Sequence, residues 1–402
     1  MPMPTSAPDG STRDSTRRHV VVVHPSPDLY GSDRQLLETI AGLVEAGWAV
    51  ESVLPVAGPL VDELRARGAA VRVIPFPVLR KASMRPMALP RLVVGLVRAT
   101  LGARRMLLRR RPDAVLVNTL TEPSWLFAAR LAGVPAVCHV HEAESDQPFV
   151  VRAGLALPLL AARVVVTNSR AAAEVLVGAV PPLGGRVRVV HNGVPGPEDG
   201  PTAPRQRAPG DPLTIALIGR LSPRKGIDVA IDALDLLVAR GVDARLRIAG
   251  TPFTGYEWYE AQVTAAASRP GVAGRVELLG YVHPTWPVLA DADVVVVPSR
   301  AEPFGNTAVE AMLARRPLVA SGVQGLREIV RDGDTGLLVE PGNPAALADA
   351  IVRVAEDTAL AGRVAEAGRA DALERFSTAG YRTAMREVLS AAMRSGARSV
   401  RP

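Results

Sequence analysis

One cysteine, Cys138, stands among 402 residues, and aromatic residues make up 4% of the chain. A single thiol excludes an intramolecular disulfide framework and any zinc site built from several cysteines. It fits a reducing compartment, and a cytoplasmic location is expected. The scarcity of aromatics leaves little stacking surface for single strands, and with no recognition motif present no nucleic-acid partner is expected. No uncharged apolar run reaches the roughly 18 residues of a spanning helix. Neither GxGxxG nor GxxxxGK[ST] occurs, which removes the simplest dinucleotide and P-loop readings. Residues 1–18 are rich in Pro, Ser, Thr and Gly and hold no apolar stretch, so they read as a disordered tail rather than a secretion signal.

What is present describes a folded protein. Hydrophobic residues make up 48% and charged residues 22%, with 35 Gly and 35 Pro, a balance that supports a packed core. The length suits two or three domains. Net charge is +7, but the window Arg80 to Arg111 holds ten basic residues and no acidic one. Setting these ten aside from the 47 Lys and Arg leaves 37 against 40 Asp and Glu. The excess positive charge therefore belongs to one surface.

Along the chain, short β-branched runs alternate with longer Ala/Leu-rich stretches. HVVVVH (19–24), AVLVN (114–118), AVCHV (136–140) and VVVTN (164–168) are of this kind. Such continuous Val/Ile/Leu runs belong to parallel sheets buried on both faces. Residues 195–212 carry six prolines among turn formers and read as a linker. The alternation then restarts, with LTIALIG (213–219), ARLRIAG (244–250) and DVVVVPS (293–299). An α/β chain of two doubly wound, Rossmann-like domains is predicted. They span 19–195 and 213–375 on either side of a linker at 196–212, with a helix in 376–402 returning toward the first domain. Ligands in such sheets sit beyond the carboxyl ends of the strands, so two facing domains enclose a cleft.

Three loops carry the candidate chemistry. Ser299 to Met312 follows the strand DVVVVP and places Glu302 in the loop and Glu310 in a helix starting near Asn306. Amides of Gly305, Asn306 and Thr307 at a helix start bind anions or hydroxyl-rich ligands. Two carboxylates beside them suit a polyol, because ionised carboxylates accept several hydrogen bonds. A loop residue and a helix-dipole partner are the plainer roles for this pair. Gly219 to Asp228 sends Arg220 and Lys225 out of a strand end in a glycine-bounded loop, a composition suited to a diphosphate; two solvated cations are the alternative. Asp28 to Gln35 follows the first strand, where Gly31 and Ser32 begin a helix that faces a phosphate or an acceptor. His139 and His141 end AVCHVHE on one strand face. A packed histidine is the usual reading of such a residue, and His139 is expected to pack below His141.

With these residues the chain resembles the retaining, family-4-like glycosyltransferases of the two-Rossmann-domain GT-B superfamily. The resemblance covers roughly 19–375 and rests on Glu302-x7-Glu310, the GRLxxxKG loop and VVHNGV at 189–194. It implies that Glu302 contacts a donor sugar and Glu310 the ribose hydroxyls. Arg220 and Lys225 then hold the diphosphate of a nucleotide sugar and stabilise the leaving group. Gly31, Gly219, Phe304, Gly305, Asn306 and Thr307 complete the donor side, and Ser32, Arg34 and His141 the acceptor side. His141, Glu302, Arg220 and Lys225 are the implied catalytic set. No cofactor and no metal are expected, since Asp291-Ala-Asp293 precedes its strand rather than ending it. Two departures are visible: Arg315 where Gly is frequent, and Tyr30-Gly31 in place of a Gly pair.

Residues 89–108 read as an amphipathic helix. Arg91, Arg98, Arg105 and Arg109 share about 40° of arc, opposite Leu89, Leu92, Leu96, Ala103 and Leu107. A solvated arginine face and a peripheral contact with anionic lipid both fit; the second would place the protein at the inner face of the cell membrane. Transfer of a sugar to an acceptor hydroxyl, in cell-envelope glycan or glycolipid synthesis or metabolite glycosylation, is the implied activity. A sugar-nucleotide epimerase or hydrolase of the same fold, or a non-catalytic polyanion binder, is the alternative.

Overall fold

The computed structural model describes residues 17–397 except 30, 80–88, 143–144, 146, 199, 201–206, 209 and 254. Most of the expected tail, Tyr30, the basic residues Arg80, Lys81 and Arg85, and the middle of the linker lie outside the described residues.

The β-branched runs form strands and the Ala/Leu stretches form helices. The first half alternates β1 (His19–Val23), α1 (Gly31–Glu45), β2 (Ala49–Leu54), α2 (Leu60–Ala66), β3 (Ala70–Val73), α3 (Leu89–Arg110) and β4 (Ala114–Val117). It continues through α4 (Pro123–Ala132), β5 (Ala136–Val140), α5 (Phe149–Ala156), β6 (Val164–Thr167), α6 (Arg170–Ala179) and β7 (Val187–Val189). After the linker come β8 (Leu213–Ile218), α7 (Ile227–Ala239), β9 (Ala244–Ala249), α8 (Glu257–Ala267), β10 (Val276–Gly280), α9 (Trp286–Ala290) and β11 (Val294–Val297). The second half ends with α10 (Asn306–Leu313), β12 (Leu318–Ser321), α11 (Leu326–Ile329), β13 (Leu337–Val339), α12 (Pro344–Glu356), α13 (Thr358–Arg375) and α14 (Thr378–Ala397). Helix starts are set locally. Side chains of Ser169, Asn343 and Asp357 accept the N–H of Ala172, Ala346 and Leu360 at 3.1, 3.0 and 2.8 Å, satisfying donors the helix leaves open.

Both sheets are parallel, ordered β3-β2-β1-β4-β5-β6-β7 and β10-β9-β8-β11-β12-β13. Val20 to Val23 are wholly buried, as expected for strands covered by helices on both faces; each such side chain contributes about 1.5–3 kcal/mol relative to exposure. The strand order reverses between β1 and β4 and between β8 and β11. Crevices form at these switch points, so the loops leaving those four strands are the ones brought to the cleft.

Helix α14 lies on the first domain, where Tyr381, Met385, Leu389 and Ala392 join the core of β1, α1 and β2. The Thr39 and Tyr381 hydroxyls share a 2.6 Å hydrogen bond there. In α3, Ala103 and Leu107 are buried and Arg91, Arg98, Arg105 and Arg109 exposed. The helix also exposes Val93, Val94, Val97, Leu101 and Leu108, so its outer face is part arginine and part aliphatic rather than solely basic. No described helix is long and apolar enough to cross a membrane.

Candidate functional site

The loop leaving β8 carries Gly219, Arg220 and Lys225. Gly226 ends it at φ 67, and a β-carbon there would lie 2.0 Å from the Pro298 carbonyl oxygen. Only glycine meets both demands, and the loop is thereby pressed against the end of β11. Lys225 Nζ consequently donates to Glu302 Oε2 at 2.5 Å, with the Ser299 hydroxyl on the same oxygen at 3.2 Å. The Arg220 guanidinium lies 3.2 Å from the centre of the Phe253 ring, a cation–π contact that fixes its plane.

Helix α10 starts where Gly305 adopts φ 124, and a β-carbon there would meet Leu326 at 2.6 Å. The first amides of a helix have no partner within it, so this start supplies N–H groups beside Glu302. Asn306 Oδ1 accepts from Asn192 Nδ2 at 2.9 Å. Phe304 is 2% exposed and packs edge-on to Phe376. Its ring is part of the core of the second domain.

The two glutamates are shifted in opposite directions. Burial alone would raise Glu302, but Lys225 and Arg224, with hydrogen bonds from Lys225 and Ser299, bring its carboxyl below the usual range. Burial wins at Glu310, whose carboxyl is raised despite Arg34, the Thr285 hydroxyl and Lys225. Glu302 is therefore the more readily ionised of the two, and Glu310 holds its proton more tightly.

The facing wall comes from the first domain. Gly31 opens α1, and a β-carbon on it would lie 3.4 Å from Asn306 Nδ2. Arg34 reaches over to the Tyr281 hydroxyl at 3.2 Å. Ser32 faces its neighbour Asp33, hydroxyl to carboxylate at 3.5 Å. His141 follows β5, with Nε2 3.1 Å from Asn118 Oδ1 and its N–H on Glu142 Oε2 at 2.9 Å. Asn118 Nδ2 in turn meets His24 Nδ1 at 3.1 Å, and His24 Nε2 meets Asp33 Oδ1 at 2.6 Å. His139 lies under His141, ring centres 4.0 Å apart and planes tilted by 43°, fully buried, and neither ring nitrogen has a hydrogen-bond partner. Burial first, then nearby His24, lowers His141 to about 3, with Asp33 opposing.

The structure thus brings Gly31, Arg34, Lys225, Glu302, Asn306 and Glu310 to one cleft, with His141 on the same wall as Gly31. His24, Asp33 and Asn118 had not been singled out in the sequence. The visible signal was a polar residue ending each of β1 and β4, the strands that flank the switch point. Among the described residues no group of three or more His, Cys, Asp or Glu could hold a metal ion.

Two parallel-sheet Rossmann-like domains meeting across such a cleft form the GT-B architecture. Residues 30–193 match the family described as "Glycosyl transferase 4-like domain", and residues 212–357 match "Glycosyl transferases group 1". The chain belongs to the group 1, family-4-like glycosyltransferases. The D-inositol 3-phosphate glycosyltransferase of Nocardioides sp. is 33% identical over 275 residues, covering 61% of this chain and 59% of the relative. That of Catenulispora acidiphila is 32% identical over 291 residues, 66% of this chain and 68% of the relative. The chain thus spans between about three-fifths and two-thirds of these relatives' lengths. Among solved structures, Anabaena HepE in complex with UDP and glucose has a TM-score of 0.78 at 23% identity, covering 92% of this chain and 99% of that one. Sucrose-phosphate synthase of Thermosynechococcus elongatus has a TM-score of 0.75 at 20% identity, covering 94% and 100%. These two likenesses are of fold.

Proposed function

We propose that this glycosyltransferase takes a nucleotide-diphosphate sugar on its C-terminal domain and passes the sugar, with retention, to an acceptor hydroxyl held by the N-terminal domain. The observation that carries the reading is the Lys225–Glu302 pair beside the start of α10. An ammonium has three donors, so Lys225 can hold Glu302 and a diphosphate oxygen together. Arg220 and Lys225 would oppose the charge that develops as the bond from anomeric carbon to phosphate oxygen breaks. The acceptor oxygen bonds to that carbon on the face the diphosphate leaves, and its proton passes to the departing phosphate oxygen. Neutral His141 serves as a hydrogen-bonding wall. With Arg220 and Lys225 as the cations for the diphosphate, this reading calls for no metal. HepE, solved with UDP-glucose and with UDP, makes a uridine nucleotide the first to try.

A second contact is favoured by the outer face of α3. Its arginines and exposed Val93, Val94, Val97 and Leu101 suit the surface of an anionic bilayer, each cation contributing about 1 kcal/mol. That would bring a membrane-resident acceptor to the cleft from the inner face.

The deciding experiment is a panel of UDP-, GDP-, ADP- and dTDP-sugars in EDTA, read by thermal shift and nucleotide release. One donor should stabilise the wild type and be slowly hydrolysed, and Arg220→Ala/Lys225→Ala should lose both responses. A product sugar released without an acceptor at full rate would favour an epimerase or hydrolase. No response to any donor would sink the transferase reading for these substrates.

A further inference from the structure

Gln324 lies in the turn between β12 and α11 at φ 35, a left-handed conformation that glycine adopts far more readily. The turn has no slack. A β-carbon at the next residue, Gly325, would lie 2.5 Å from the Pro303 carbonyl oxygen, and the Gly325 N–H donates to the Glu302 carbonyl at 3.1 Å. The amide of Gln324 is used at both ends. Oε1 accepts the backbone N–H of Glu302 at 2.7 Å, and Nε2 donates to the Ser145 hydroxyl at 2.6 Å. Ser145 stands in the first domain, four residues past His141 on the segment leaving β5. One side chain on a strained backbone therefore ties the main chain of Glu302 to Ser145 of the first domain.

We propose that Gln324 is a positioning residue that, through Ser145, couples closure of the first domain on the second to the placement of Glu302. It rests on the transferase reading for what Glu302 does, but not for the coupling itself. Strain of this kind persists where surrounding structure holds it and clusters at functional sites. The backbone here would be relaxed by glycine, whereas both contacts belong to the side chain. Gln324 holds the Glu302 backbone, whereas Lys225 holds the Glu302 carboxylate. Loss of Gln324 should therefore loosen the placement of Glu302 without removing either cation, and productive closure should suffer more than donor binding.

The test uses the full chain and three variants, Gln324→Gly, Ser145→Ala and the double variant. Gln324→Gly should keep or raise Tm, because it relieves the backbone, yet lower kcat/KM about tenfold, chiefly in kcat and the acceptor KM, with a smaller loss of donor affinity; two ordinary hydrogen bonds account for that size. The two losses should be less than additive, because the residues share one contact. A second readout needs no turnover. Dyes on Arg130→Cys and Gln262→Cys, exposed on α4 and α8, report domain separation, and the native thiol Cys138 is buried. Both single variants should widen that separation. Tm and turnover falling together would make Gln324 merely structural, and unchanged separation would refute the coupling. A wild type without turnover on any donor would sink the transferase reading, and the distance measurement would still decide the coupling.

Discussion

His139 and His141 sit two residues apart with touching rings, and neither holds a proton readily. Burial first, then the neighbouring imidazole, drives His139 well below its usual value, and His141 falls to about 3. The unfolded chain protonates both near pH 6.5. Between pH 6.5 and 3 the unfolded state thus binds protons that the native state refuses, so stability rises with pH across that window and is lost as acid is added. Urea unfolding at pH 7 and pH 5 should show this loss, and His139→Leu should reduce it by about 1.4 kcal/mol per pH unit, the worth of one proton. An unchanged slope would mean His139 is protonated or solvated in the native state. His141 was legible at a strand end in the sequence. The chain from it through Asn118 and His24 to Asp33 was not, because His24 and Asn118 are 94 residues apart and only the pairing of β1 with β4 joins them.

Glu328 works at the scale of elements, since it stands in one domain's helix and caps another's. Its carboxylate, on α11, accepts the N–H groups of Arg170 and Ala171 at 3.0 and 2.9 Å, the first donors of α6, and lies 3.1 Å from His191 Nε2. Burial pushes its pKa up, but His191 and the two amides outweigh that and hold it below the usual range. Its contribution is therefore complete above the unfolded value, about 4.3, and disappears as pH falls through the lower folded value. Glu328→Ala should cost about 1–2 kcal/mol at pH 7, the scale of a lost helix cap, with wild type and variant converging below pH 4 in urea unfolding. A constant gap at all pH values would show that packing, not charge, explains the loss. No sequence pattern announces a cap supplied from another domain. The aliphatic half of α3's outer face was missed for a related reason: a 22-residue helix need bury only the stripe that meets α4, and a helical wheel does not say how wide that stripe is.

The whole molecule depends on where the chain passes between its domains. The alternation of buried strands and a proline-rich break was enough to divide the sequence into two sheets. The linker and the returning C-terminal helix placed the two crossings, after β7 and between α13 and α14; that the crossings are bonded to each other is tertiary and was not visible. The Val194 N–H donates to the Phe376 carbonyl at 2.9 Å. Gly193 sits so close that an added β-carbon would lie 2.7 Å from Tyr381 Cβ and 2.8 Å from Thr378 Cα. One of these neighbours is backbone, so a swing of the Tyr381 side chain alone cannot make room. Asn192, the preceding residue, holds Asn306 at the start of α10, so a shift at the crossing reaches the donor side directly. Gly193→Ala must therefore push the two crossings apart and tilt one domain against the other. Hinge changes alter kcat and KM together. This variant should remain folded, lose about tenfold in kcat/KM through both parameters, and show a widened domain separation with the same dye pair. Wild-type kinetics would mean that the crossings yield without moving the domains, and that the cleft is set by the contacts across it rather than by the hinge.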